Sequence, residues 1–68
     1  MDKYQVAIVI PAFNEENTIF DVVHSVKEYG TAIVIDDAST DNTRQLARNA
    51  GAIVISHNRN KGYDEALN

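Results

Sequence analysis

Ala32-Ile33-Val34-Ile35-Asp36-Asp37-Ala38-Ser39-Thr40-Asp41-Asn42-Thr43 is the stretch on which the fold turns. Four apolar residues, two isoleucines and a valine among them, run straight into two carboxylates and then into hydroxyls and an amide. An apolar run this short, closed by turn formers and followed by a helical pattern, predicts a strand buried on both faces of a parallel sheet. The polar residues then stand at its carboxyl end, where the loops of open α/β sheets converge on a crevice and ligands bind. Asp36 and Asp37 are therefore the first candidates for chemistry.

Working outward, Val6-Ala7-Ile8-Val9-Ile10 is a second apolar run, ended by Pro11. Proline cannot extend a central strand and biases the residue before it toward extended geometry, so strand one is expected to stop there. Ala12 to Asn17 reads as a loop into a helix, with Asn14 or Asn17 as cap and Glu15 and Glu16 at the positive end. Ile19, Val22, Val23 and Val26 follow at helical spacing on one face, and Gly30 supplies the stop. Beyond strand two, Thr43, Leu46, Ala47 and Ala50 repeat that spacing before Gly51, with side chains small enough for close approach to a sheet. Ala52-Ile53-Val54-Ile55-Ser56 makes a third strand, His57 to Gly62 a polar loop, and Tyr63 to Asn68 the start of another helix.

The order β-α-β-α-β-loop-α predicts a Rossmann-like α/β fold: a three-stranded parallel sheet in the order 3-2-1 with right-handed crossovers and flanking helices. Residues 1–68 then form one incomplete β-α-β-α-β segment. Two helices cover little more than one sheet face. The segment is expected to be the front of a larger α/β domain, or to associate. Two copies joining the free edges of strand one antiparallel about a twofold axis would give a six-stranded homodimer.

Composition narrows the partners. Of the 68 residues, 44% are hydrophobic and 24% charged, the balance of a globular chain. With no cysteine, neither a disulfide framework nor a thiolate metal site is available. No apolar run approaches the roughly 20 residues that span a bilayer, and no signal-peptide layout opens the chain, so a cytoplasmic segment is expected. A formal charge of -4 and a pI near 4.8 argue against polymeric nucleic acid, which needs clustered Lys and Arg. A single nucleotide differs, because its anionic part needs only one or two cations while its base and ribose offer donors to carboxylates.

Adjacent residues on an extended backbone point to opposite sides, so Asp36 and Asp37 cannot act as an acid-base couple on one atom. One should face the crevice and the other a loop or helix end. A carboxylate there accepts from a base or ribose, and the bland alternative is that both cap the next helix. Phe13 either offers its ring to a flat base or packs in the core. Glu15 either accepts from ribose or serves the helix dipole. Lys61 beside Gly62, with Arg59 close by, suits an anion at the end of strand three, or is a solvated loop. No glycine-rich phosphate loop of standard spacing occurs. His24 falls on the polar side of the first helix, and His57 has no metal-ligand companion at fixed spacing.

Taken together, three motifs resemble the family 2 glycosyltransferases. Ile10-Pro11-Ala12-Phe13-Asn14-Glu15-Glu16 is similar to their "PAYNEE", Val34-Ile35-Asp36-Asp37-Ala38-Ser39-Thr40-Asp41-Asn42-Thr43 to "VDDGSTDGT", and Asn58 to Leu67 to "NxGKGxAL". In order and at normal spacing, they span essentially the whole chain. The nearest likeness is to the polyprenyl-phosphate sugar synthase branch. The resemblance implies a GT-A fold and inverting transfer of a sugar from a UDP- or GDP-sugar to an acceptor, in that branch a lipid phosphate at the cytoplasmic membrane face. Carried over by position, Pro11, Ala12, Phe13 and Glu15 would bound the nucleoside, Asp37 would hydrogen-bond the base, Asp36 would support the loop, and Lys61 with Gly62 would lie near the nucleotide. Phe13 replaces the usual tyrosine, Ala38 a glycine, and Asn60 a small residue. The family's acidic motif for Mg or Mn and its general base lie farther along than Asn68, so no catalytic or metal-binding residue is expected within the chain. A competing reading is a non-catalytic, self-associating binding module of the phosphoacceptor receiver kind. That reading wants the acidic pair on strand one and a further aspartate ending strand three, where this chain has Ser56-His57.

Overall fold

A computed structural model describes residues 6–57. Strands β1 (Ala7–Ala12), β2 (Thr31–Asp37) and β3 (Ile53–His57) alternate with helices α1 (Ile19–Val26) and α2 (Thr43–Asn49). The strands are all parallel in the order β1-β2-β3, as the alternation of apolar runs and helical spacing predicts. Ile10, Val34 and Val54 lie in one row across the sheet, and Val9, Ile33 and Ile53 in the next.

Both crossovers run the same way, so the rule of right-handed connection sets both helices on one face. Burial follows: Ala32, Val34 and Asp36 of β2 are buried, while Thr31, Ile33, Ile35 and Asp37 between them are half-buried. Strand two is thus covered on one face among the described residues, not on both as its unbroken apolar run predicts. The opposite face presents Val9, Ile53 and Ile55, the first 60% exposed. A run apolar on both faces records what the strand is built to meet. Which faces are met depends on how many helices are present.

The core is Ala12, Ile19, Val23, Ala32, Val34, Ala47 and Ala50, with Ile10, Val26, Leu46, Ala52 and Val54 packed against it. Ala47 and Ala50 let α2 lie close against the sheet, as their size implies. Val22 is exposed, although its spacing puts it with Ile19 and Val23. An eight-residue helix buries a narrow stripe, and here the stripe is Ile19 and Val23. Both helices are short, α1 of eight residues and α2 of seven.

Pro11 does not end β1. It lies within the strand, opposite Ile35. Among the described residues β1 is an edge strand, where a missing N–H is tolerated. Neither Asn14 nor Asn17 caps α1. The cap is Thr18, without a side-chain bond, and Asn14 is used elsewhere. The end of α2 is built as the glycine predicts: Gly51 takes φ +105° and its N–H reaches Arg48 O at 2.9 Å, while Ala52 N–H reaches Ala47 O at 3.0 Å, a Schellman closure. Lys27 ties the helices together by donating from Nζ to Ala50 O at 3.1 Å.

Gly30 is needed for space. A Cβ there would sit 2.4 Å from the carbonyl oxygen of Val6, which accepts the Thr31 N–H at 2.8 Å. Gly30→Ala must push two backbone segments apart where β1 enters the sheet. An expected loss of about 1 to 3 kcal/mol can be read from the denaturant midpoint, and an unchanged midpoint would show that the entry of β1 adapts freely.

Candidate functional site

The carboxyl ends of the three parallel strands carry Ala12, Asp36 and Asp37, and His57. Ala12 pairs in register with Asp36, and Asp37 with His57, so Phe13, one residue past the paired part of β1, stands next in line to Asp37. The residues behind this edge belong to two loops, 13–18 and 38–42, which are bonded reciprocally.

Asn14 N–H donates to Ser39 Oγ at 2.8 Å, and Asn14 Oδ1 accepts from the Thr40 N–H at 2.9 Å. Glu15 N–H donates to Thr43 Oγ1 at 2.8 Å, and Glu16 N–H to Asp41 Oδ2 at 3.2 Å. Asn42 N–H returns to Glu16 Oε1 at 3.1 Å. Asp41 Oδ1 accepts from the Thr43 N–H at 2.9 Å and from the Thr43 hydroxyl. Loop backbone without sheet or helix partners must find others, and each loop supplies them to its neighbour. Hydroxyls, amides and short carboxylates in both motifs suit this exchange because their polar atoms sit close to the chain.

Two residues pass through the left-handed region to make the geometry, Asn14 at φ 51° and Ala38 at φ 63°. Asparagine tolerates it through its local hydrogen bonding. Alanine costs about 1 kcal/mol or more there, which accounts physically for the glycine that the resembling motif carries at this place.

Asp36 and Asp37 divide their tasks as strand alternation requires. Asp36 lies on the helix side with 0% exposure. Its Oδ2 accepts the Ser39 N–H at 3.3 Å and Arg44 Nη1 at 3.2 Å, and its Oδ1 is buried without a partner. Asp36 therefore braces the loop that follows it from the buried side of the strand. Asp37 is on the other side of the strand, one-third exposed, with Oδ1 3.6 Å from His57 Nδ1.

Phe13 is 56% exposed, so it is not core. Glu15 has its side chain in solvent, while its carbonyl accepts the N–H groups of Thr18 at 3.0 Å and Ile19 at 2.8 Å, closing the turn into α1. Pro11 is exposed on the open sheet face. Ala12 is buried in the core, so only its backbone is presented at the edge. His24 stacks on Phe20 on the outside of α1, ring centroids 6.2 Å apart. Lys61, Gly62 and Arg59, expected at the nucleotide, lie outside the described residues.

The bracing residues Asn14, Glu16, Ser39, Thr40, Asp41 and Thr43 stand inside the quoted motifs, yet nothing in the spelling separates a residue that lines a site from one that holds it. Arg44 was not legible as part of the site at all. Its signal was only a cation one turn into a helix beside an acidic motif.

Asp41 shows what the bracing does to a carboxyl. Desolvation pushes its pKa upward, but hydrogen bonds from the Thr43 side chain, the Thr43 amide and the Glu16 amide outweigh this and hold it below the usual carboxylate range. A carboxyl lowered on folding adds stability that is present above the unfolded pKa and is lost as the pH falls through the folded one. Thermal melts on acidification below about pH 4 should therefore fall more gently for Asp41→Asn than for the parent chain. Parallel acid profiles would contradict the role.

Among the described residues no group of three or more His, Asp or Glu is placed to hold a metal ion. No helix among them is long and apolar enough to cross a membrane.

A family model described as glycosyl transferase family 2 matches residues 7–68. The glycosyltransferase AglJ of Haloferax volcanii is 45% identical over 60 residues, covering 84% of this chain and 20% of that protein. An uncharacterized protein of Methanocaldococcus jannaschii, MJ1222, is 38% identical over 69 residues, covering 98% of this chain and 28% of the relative. Among solved structures, glucosyl-3-phosphoglycerate synthase of Mycobacterium tuberculosis, in complex with Mn2+, UDP-glucose and glycerol 3-phosphate, superposes with a TM-score of 0.68 at 39% identity, covering 74% of this chain and 20% of that one. The same enzyme has been solved with Mg2+ and UDP. This chain thus spans less than a third of the length of these relatives, and its three strands and two helices match their GT-A fold. The receiver-like reading finds no support. With a family model running from the first strand to the last residue, and with relatives and structures that agree, the chain belongs to glycosyl transferase family 2.

Proposed function

We propose that this segment forms the nucleoside-binding edge of an inverting glycosyltransferase that draws its sugar from a nucleoside diphosphate donor, UDP- or GDP-linked. The observation that carries the reading is the pairing of Ala12 with Asp36, which brings the exposed Phe13, one residue past β1, and Asp37, the last residue of β2, to the same carboxyl end of the sheet. An aromatic ring in water beside a carboxylate gives a flat base a surface to stack on and its N–H an acceptor. Glu15 is assigned to the nucleoside, and Lys61 with Gly62 to the nucleotide, by their positions in the motifs.

In the parent enzyme a divalent metal, Mg or Mn, would offset the diphosphate charge, held by residues other than those described here. The chain by itself is net acidic, so it should bind nucleotide weakly and transfer no sugar. For the acceptor we take a lipid phosphate, with the enzyme working at the cytoplasmic membrane face. This rests on the likeness of the motifs to the polyprenyl-phosphate branch. Calorimetry with UDP and GDP tests the pocket: heat that depends on the base and disappears in Asp37→Ala is expected, and equal heats for both nucleotides and both chains would overturn it.

Self-association is favoured by a separate observation. Among the described residues β1 is an unpaired edge, and Val9, Ile53 and Ile55 expose apolar surface on the face without helices. Two copies joined antiparallel along β1 would make a six-stranded sheet. Sedimentation should show a dimer whose fraction rises with concentration, and a monomer throughout would dispose of it.

A further inference from the structure

We propose that Arg44, acting through Asp36, is a positioning residue for Asp37. The inference rests on the nucleotide reading above and adds to it a residue on α2 that does not face the crevice. Asp36 is fully buried, and a buried carboxylate needs a counter-charge. Among the described residues the cation within reach is Arg44, 3.2 Å away and 40% exposed, so its guanidinium meets the carboxylate at the border of the core. The oxygen that Arg44 contacts is the one that accepts the Ser39 N–H at 3.3 Å. The other oxygen has no partner, so the carboxylate is fixed on one side alone.

The consequence falls on Asp37. It lies between the strand residue that Arg44 clamps and Ala38, which is held at φ 63°. A non-glycine residue stays in the left-handed region only when its surroundings hold it there. Here the surroundings are the Asp36–Ser39 bond on one side and the Asn14–Ser39 bond on the other, Ser39 being buried with Oγ 2.8 Å from the Asn14 N–H. Without Arg44 the buried Asp36 carboxylate loses its counter-charge and must turn toward water. That turn takes Oδ2 off the Ser39 amide, and the turn carrying Asp37 relaxes. Arg44 thereby sets the direction of the carboxylate that meets the base without touching the ligand.

The test titrates UDP into the 15N-labelled 68-residue chain and follows amide shifts, for the wild type, Arg44→Met, Arg44→Lys and the double variant Arg44→Met with Asp36→Asn. Arg44→Met should weaken binding roughly tenfold, within the range of coupling between contacting residues, and should shift the amides of Asp37, Ala38 and Ser39 before any ligand is added. Arg44→Lys should recover part of the affinity. The double variant should recover most of it, because a neutral side-chain amide in place of the Asp36 carboxylate still accepts from the Ser39 N–H and needs no counter-charge. If Arg44→Met fails to fold, the double variant and Arg44→Lys decide, since both keep the buried side chain compensated. A wild type that binds, with Arg44→Met binding equally well, overturns the role of Arg44 and leaves the nucleotide reading standing. A melting temperature that drops with unchanged affinity of the folded chain overturns it too, as a merely structural contact. A wild type with no UDP-dependent shifts overturns both.

Discussion

Thr43→Val should cost this fold about 2 to 3 kcal/mol, more than its near-identical shape suggests. Thr43 is fully buried, and its hydroxyl both accepts the Glu15 N–H at 2.8 Å and donates to Asp41. Valine keeps the volume and removes both bonds, stranding the Glu15 amide where water does not replace the lost partner. Asp41 also loses a donor that helps hold its carboxyl ionised. A chain of this length has a stability on the order of 3 to 10 kcal/mol, so the loss is a large share of the whole. Chemical denaturation of the variant checks it, with Thr43→Ser as the companion that keeps the hydroxyl and should recover much of the difference. Equal midpoints for valine and threonine would mean that the bond between the loops contributes little.

Ile19→Ala should be costlier still, about 2 to 5 kcal/mol. Ile19 opens α1, is 2% exposed, and packs into the single core beneath the loop that carries Phe13. Ile19 is the largest of the buried core residues, the others being Val23, Val34 and alanines, so its removal leaves a cavity that the partly buried side chains around it fill only by shifting. The variant should unfold near ambient temperature, with loss of the dispersed methyl signals in its NMR spectrum. Val22→Ala, one turn away but exposed, is the control and should stay within about 0.5 kcal/mol of the parent. If the two behaved alike, the buried stripe of α1 would be misplaced.

That contrast between Ile19 and Val22 marks where sequence reading stops. The period of the apolar residues found the helix, and with strand-helix alternation it found the parallel sheet and its order. Period alone does not say how wide a buried stripe is, because width depends on how many layers surround the helix. Pro11 shows the same limit: its effect on a strand depends on whether the strand is central, and that is a property of the sheet. At the site, alternation along β2 correctly separated Asp36 from Asp37, and the motifs placed the chain in its family. The loop bracing was less accessible. Asn14 and Ser39 are 25 residues apart in sequence, and their meeting follows only once β1 and β2 are adjacent and in register. Arg44 was hidden for a related reason. Its partner is buried on a face that the spelling of the motif does not reveal.

The most direct check of the nucleoside edge is an amide-shift map of the 68-residue chain titrated with UDP. Shifts confined to Phe13, Asn14, Glu15, Asp37, Ala38 and residues near His57, and absent from Asp37→Ala, are the expected result. Shifts spread over the helix-free sheet face around Val9, Ile53 and Ile55, with the ends of β1 and β2 unmoved, would contradict it.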